Sequence, residues 1–183
     1  MSASSPVGHV LSCSTRWSDV DENGHINNAR LVGYIQEGIY DLFRHHATAV
    51  RESLFPSGFI IARHEIDYLE QLHHQPEPLS VRLTVERLGR SSAHVEVNVL
   101  REPRTFMRAR TVVVARDRES GRSRKLSPGE RRFLAGFMPE DARAAEAAAT
   151  APAGMPAQRG PARSGGRVSS PLRPRRRCRT SAG

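Results

Sequence analysis

Apolar residues along this chain first recur with a helical period and then switch to a period of two. Leu31, Ile35, Gly38, Ile39, Leu42 and Phe43 fall at helical spacing, which predicts a helix from about Asn27 to His46. Its apolar face is broad, as expected of a helix largely wrapped by other structure. Asn27 or Asn28 supplies the N-cap, because an Asn oxygen can accept from the first free N–H groups. Ahead of it, His9 to Trp17 reads as a short strand and Ser18–Asn28 as a polar, turn-rich loop. Beyond a loop with Pro56 and Gly58, Ile60, Ala62, Ile66 and Tyr68 alternate with Arg63, Glu65 and Asp67, and His64 falls on the apolar side. Val81, Leu83 and Val85 alternate with Arg82, Thr84 and Glu86. After the turn Leu88–Gly89–Arg90, Val95, Val97 and Val99 alternate with His94, Glu96 and Asn98. Phe106 to Arg116 makes a fourth long strand, rich in Val and Thr. Ser127–Pro128–Gly129–Glu130 predicts a further helix start, with Ser as cap, Pro in the first turn and Glu at the capping-box position. A strand, one long helix and then four strands joined by short turns describe an α+β domain, a helix set against an antiparallel sheet.

Composition confines that domain to residues 1–138. From Pro139 onward the chain is mostly Ala, Arg, Gly, Pro and Ser with almost no large apolar side chain, so 139–183 is expected to be a disordered tail. The tail carries nine arginines against three carboxylates, which puts +6 of the net +9 there and leaves +3 for 1–138. The high basicity is therefore no footprint of nucleic-acid recognition by the domain. The run Arg173 to Arg177 has the charge to touch an anionic surface weakly, but a solvated tail with no specific nucleic-acid partner is the expectation. Cys13 and Cys178 form neither a metal spacing nor a disulfide framework. The N-terminus lacks the basic region and long apolar run of a secretory signal, and nothing approaches a membrane span. A reduced, cytoplasmic protein is expected.

The richest segment is Asp19–Asn28. Asp19, Asp21, Asn23 and Gly24 spell D-x-D-x-N-G, the opening of an EF-hand calcium loop. That reading fails at the twelfth position, where a bidentate Glu is required and Arg30 stands, and the preceding residues are strand rather than helix. The second reading is a loop that delivers acid–base groups to a helix N-terminus, where free N–H groups and the positive dipole end suit a developing oxyanion. A carboxylate just before such a helix, with a His and an Asn nearby, is what thioester hydrolysis requires. That chemistry needs no metal and no cofactor.

The stretch Arg16-Trp17-Ser18-Asp19-Val20-Asp21-Glu22-Asn23-Gly24-His25-Ile26-Asn27-Asn28-Ala29-Arg30 resembles the opening of hotdog-fold acyl-CoA thioesterases of the 4-hydroxybenzoyl-CoA thioesterase type. The resemblance continues in Glu65–Leu69, Leu88–Ser92 and Ala109–Asp117, and covers roughly residues 10–136. It implies a hotdog fold, a long helix wrapped by an antiparallel sheet, working as a homodimer or homotetramer with the acyl cleft between protomers. It implies Asp21 as the catalytic carboxylate and the backbone N–H of Asn28 or a neighbour as oxyanion donor. It also implies that Arg90, Ser91 and Ser92 contact the nucleotide phosphates of coenzyme A. The spacing of Asp21, Asn23 and His25 is similar to that of plant-type acyl-carrier-protein thioesterases, where all three act with a downstream Glu. Gln71 occupies that place here, with Glu70 one step earlier. Leu31 stands where many relatives have Tyr.

Each residue also has a plainer role. Asn23 can merely hold the turn before Gly24, His25 can shape the loop, and Arg90–Ser92 can be an ordinary hairpin turn. Glu37 is expected to be structural, and His45, His46, His73 and His74 to be exposed element ends. The expected activity is hydrolysis of an acyl-CoA or acyl-carrier-protein thioester, with Asp21 attacking the carbonyl or activating water. A non-hydrolytic acyl-thioester-binding protein of the same fold is the alternative. The acyl group itself is not readable from the sequence.

Overall fold

The computed structural model describes residues 8–47 and 54–150. Strand β1 (His9–Cys13) leads through a 3-10 turn at Trp17–Asp19 to helix α1 (Asn28–Tyr40), which continues as a π-helical turn over Asp41–His46. Strands β2 (Phe59–Tyr68), β3 (Leu79–Leu88), β4 (Ser92–Arg101) and β5 (Arg104–Ala115) follow, and then helices α2 (Pro128–Ala135) and α3 (Glu140–Thr150). All five strands form one antiparallel sheet in the order β1-β3-β4-β5-β2, so β1 and β2 are its edges. α1 lies across one face. This is the helix-in-sheet arrangement that the resemblance implied.

The alternation read in the sequence explains the core. Val81, Leu83, Val85, Val95, Val97, Val99, Met107 and Ala109 all face inward and are buried, together with Leu31, Ile35, Ile39, Leu42 and Phe43 from the helix. Gly38 sets how closely the two layers meet. A Cβ there would stand 2.8 Å from Val81 Cγ1 and 2.9 Å from Leu83 Cδ1. Asn27 is the N-cap of α1, its side-chain oxygen accepting from the Ala29 N–H at 2.9 Å.

Three expectations need correction. The first is the face of β2. Phe59 and Ile61 pair with Ala115 and Val113, but the register shifts between Ile61 and Arg63, after which His64, Ile66 and Tyr68 pair with Thr111, Ala109 and Met107. Ala62 is thus the extra residue of a β-bulge, which switches the inward side from odd to even positions. Ile60 and Ala62 therefore face out, and Phe59 and Ile61 take the inner face in their place. The second is the length of β1, which ends at Cys13 because Thr15 turns inward to bond the His74 ring at 2.8 Å and the Gln75 carbonyl at 3.0 Å. The third is the start of the tail. Residues 140–150 are helical, with Glu146 paired to Arg131 and Ala142 packed against the core. Alanine is the best helix former and needs little area to pack, so poverty in large apolar residues did not mean disorder there. Residues 151–183 lie outside those described.

α2 starts with the expected capping box, Ser127 Oγ accepting from the Glu130 N–H and Glu130 from the Ser127 N–H. The Glu130 carboxylate is 1% exposed and also accepts from the Phe55 N–H at 2.9 Å and from Arg124 at 2.6 and 2.8 Å. Burial by itself would raise its pKa. The hydrogen bonds from Arg124, Ser127 and Phe55 outweigh that and hold it below the usual carboxylate range. The Phe137 carbonyl, after α2, accepts from the Val85 N–H at 3.0 Å and so covers the edge of β3 beyond its pairing with β1. No helix among the described residues is long and apolar enough to cross a membrane.

Gly38→Ala forces a methyl group against Val81 and Leu83 and is expected to cost about 1–3 kcal/mol. Urea unfolding measures this, and a midpoint unchanged from wild type would contradict the seating of α1 described above.

Candidate active site

The loop between β1 and α1 is a tight turn that satisfies its own backbone. The Asp21 N–H donates to the His25 carbonyl at 2.9 Å and the Gly24 N–H to the Asp21 carbonyl at 3.0 Å, with Gly24 at φ 78°, a conformation suited to glycine. Ile26, 2% exposed, anchors the turn in the core, and its N–H donates to the Leu72 carbonyl at 2.7 Å. The Asn27 N–H closes the loop onto the Asp19 carbonyl at 2.8 Å.

The two aspartates take different parts. Asp19 is buried and accepts from the Tyr34 hydroxyl at 3.0 Å. Burial first, and then the bond to Asp19, pushes the Tyr34 phenol up to about 12. Asp21 is half-buried and lines an open cleft. Its Oδ1 accepts from the Asn23 N–H at 2.9 Å and its Oδ2 faces the Asn27 side-chain amide at 3.4 Å. The split between Asp19 and Asp21 leaves no calcium-type array, and among the described residues no group of three or more His, Cys, Asp or Glu side chains could hold a metal ion.

The cleft has a volume of about 530 Å³ and gathers Asp21, Asn23, His25 and Asn28 in one place, with Leu31, Tyr68, Glu70 and Gln71 on its other walls. Asn28 is the first residue of α1, and among the described residues its N–H has no protein acceptor. The Tyr68 hydroxyl donates to the Asn28 carbonyl at 3.3 Å. Glu70 is bound to Arg104 at 2.5 Å, whereas Gln71 is exposed. The cleft thus joins a carboxylate, an imidazole and the positive end of a helix dipole.

The nucleotide-contact candidates lie elsewhere. Arg90 and Ser91 line a small hollow with Ser123, Arg124 and Lys125, and Ser92 begins β4 with its carbonyl accepting from the Gly89 N–H at 2.7 Å. Ser92 pairs with Val114, which pairs with Ile60, whereas the Asp21 cleft adjoins Tyr68 at the other end of β2. The eight-residue step separates the two groups by roughly 26 Å along the strand, at about 3.3 Å per residue. One protomer does not bring them together.

His73 was missed. Expected to be a mere element end, it packs its ring edge-on against His25 with centroids 4.6 Å apart, and its Nδ1 donates to the Gly24 carbonyl at 3.1 Å. Nothing in the local spacing signals this contact, because a long stretch of chain separates the two histidines. Glu37 is exposed and, after burial, is the next influence that lifts the Cys13 thiol to about 11.

With this geometry in place, a family model for the thioesterase-like superfamily matches residues 15–155. The chain belongs to that superfamily. Among solved structures it is similar to a predicted thioesterase from Bacillus stearothermophilus, at 23% identity and a TM-score of 0.60 over 70% of this chain and 95% of the other. A thioesterase from Thermus thermophilus, complexed with coenzyme A and Zn, is similar at 25% identity and a TM-score of 0.59, covering 70% and 92% of the two chains. A Pseudomonas aeruginosa protein is similar at 24% identity and a TM-score of 0.61, covering 72% and 92%. A search of curated protein sequences finds no match. The superfamily member described here therefore has the hotdog fold.

Tyr34→Phe leaves the buried Asp19 carboxylate one donor short and is expected to lower the unfolding free energy by about 1–3 kcal/mol. The phenol's pKa is raised on folding from 10.0 to about 12, so its contribution is complete below the lower value and is lost as the pH climbs through the upper one. Stability measured against pH should fall on that alkaline limb in the wild type and stay flatter in the variant.

Proposed function

We propose that this chain hydrolyses acyl thioesters of coenzyme A, with Asp21 as the reacting carboxylate. The observation that carries this reading is the meeting, in one cleft, of Asp21 with the first N–H of α1, which has no acceptor among the described residues. The thioester carbonyl oxygen sits at the helix N-terminus, where the Asn28 N–H and the dipole stabilise the negative charge that develops on it. Acting as a base, Asp21 takes a proton from water, whose oxygen adds to the acyl carbon. Acting as a nucleophile, it adds to that carbon itself and water later cleaves the anhydride. Either way the C–S bond breaks, the thiolate takes up a proton, and the products are a carboxylic acid and the free thiol. Asn23 holds the carboxylate through its N–H, and His25, braced by His73, faces the same space. Coenzyme A as the carrier is supported by the bound coenzyme A of the Thermus thermophilus neighbour.

The working unit is a pair of protomers joined edge to edge through β2. β2 is a ten-residue edge strand with Ile60 and Tyr68 more than 40% exposed, and no proline interrupts it. Such an edge is a template for another strand. Antiparallel self-pairing turns one β2 end for end against the other. The partner subunit's Arg90, Ser91 and Ser92 then come to the end of the sheet where Asp21 lies, which answers the separation within one protomer.

Asp21→Asn should lower kcat/KM for thiol release from responsive acyl-CoAs by about 10²–10⁴ with the fold intact by circular dichroism. Undiminished release would sink the assignment. Tight retention of intact acyl-CoA by the wild type, without thiol release, would identify an acyl-binding protein instead. Light scattering of the full chain should give a dimer or a pair of dimers, and an active monomer would rule out the paired site.

A further inference from the structure

The turn between β3 and β4, which carries Arg90 and Ser91, is held from outside by a side-chain clamp. All three of its carbonyls are taken by other parts of the chain. The Gly89 carbonyl accepts from Arg131 Nη1 at 2.8 Å, the Arg90 carbonyl from the Leu126 N–H at 3.0 Å and the Ser91 carbonyl from the Ala115 N–H at 2.9 Å. The N–H groups of Arg90 and Ser91, by contrast, have no acceptor among the described residues. A turn with bonded carbonyls and free N–H groups forms a concavity that attracts anions. The hollow beside it measures about 290 Å³ and is lined by Arg90 and Lys125, which are exposed and make no ion pair among the described residues. Arg124 lines it too, but its guanidinium is committed to the buried Glu130.

Two of the three donors to the turn are backbone groups and stay in place with the sheet and the chain ahead of α2. The third is a long side chain, which must give up rotamer freedom to hold one position. Glu146 of α3 takes that freedom away. One of its carboxylate oxygens accepts from Arg131 Nε at 2.9 Å and also from Nη2. The pair is mostly covered, with the two side chains 23% and 13% exposed. With that edge of the guanidinium occupied, Nη1 is aimed at Gly89. α3 itself lies along the end of β3, where Ala142, Ala145 and Glu146 share a hollow with Arg87 and Leu88.

We propose that Arg131 and Glu146 are positioning residues for the carrier end of the substrate. Through them α3 keeps the Gly89–Ser92 turn in the shape that lets the free N–H groups, with Arg90 and Lys125, grip the nucleotide phosphates of coenzyme A. This role rests on the coenzyme A reading above and involves no reacting atom. Arg131 acts through the backbone of the turn and not through its own charge, which Glu146 cancels at close range. A thioester on a short thiol without the nucleotide does not reach the turn and is indifferent to the clamp.

A clamp and a simple charge effect differ in sign. Arg131→Gln removes a cation near the phosphates and Glu146→Ala removes an anion, so a field effect would weaken coenzyme A binding in the first variant and tighten it in the second. The clamp weakens it in both. Alanine is the better helix former, so Glu146→Ala leaves α3 itself in place. Isothermal calorimetry with coenzyme A is run on the full-length wild type and on each variant. The Kd should rise about tenfold in Arg131→Gln and at least about threefold in Glu146→Ala. In turnover, kcat/KM for an acyl-CoA, divided by that for the same acyl group on N-acetylcysteamine, should fall by the same factors through KM, with kcat little altered. Tighter coenzyme A binding in Glu146→Ala, equal losses with both thioesters, or a wild type that does not bind coenzyme A overturns the proposal. Weaker coenzyme A binding in both variants, in a wild type that releases no thiol, would support the clamp while showing that the hydrolytic reading had failed.

Discussion

At Gly38 the backbone of α1 comes so near Val81 and Leu83 that a methyl group has no room between them. That contact fixes the height and the heading of the helix over the sheet, and with them the position of both its ends. The N-terminal end delivers Asn27 and Asn28 to the cleft with Asp21. The other end, through the π-helical turn at Asp41–His46, places Arg44 at a second hollow of about 450 Å³, lined also by Tyr40 and Phe59. The helix thus acts as a rigid spacer between two chemically different hollows. Because interiors pack at the density of crystals, such a spacer cannot slide to bring its ends nearer to anything within the same protomer.

The loop ahead of α1 shows how local bonding sorts similar side chains. Asp19 and Asp21 are separated by one residue, so in an extended run they would share a face. The 3-10 turn and the closure of the Asn27 N–H onto the Asp19 carbonyl instead send Asp19 inward to Tyr34 and leave Asp21 in the cleft. A carboxylate that is buried and tied to a phenol is poorly placed to meet a substrate. One that keeps access to solvent is free to do so.

Most of the fold was legible because its signals are local. The period of Leu31, Ile35 and Ile39, the Asn27 cap and the Ser127–Glu130 box each depend on neighbours a few residues away. β2 was misread at Ile60 and Ala62 because a bulge costs one unpaired residue and leaves no composition mark. The alternation looked continuous while the faces had changed. α3 was hidden because alanine packs with so little area. At the site, Asp21, Asn23, His25 and Asn28 were legible together since they sit within one loop. The brace of His73 on His25 was not, and neither was the packing of Phe43 on Phe55 and Phe59. Those contacts join segments far apart in the chain and are made only by tertiary packing.

The two edges of the sheet are unequal, and that inequality bears on how copies of the chain can assemble. β1 offers only five residues, and where β3 runs past it the Phe137 carbonyl already occupies the Val85 N–H. Growth of a sheet into an open fibre requires two competent borders, one to dock and one to receive the next copy. A pair that consumes β2 on both sides leaves only the short β1 borders and the covered margin of β3. The covering segment after α2 therefore blunts that margin of β3, and a strand approaching it would meet a carbonyl already in place.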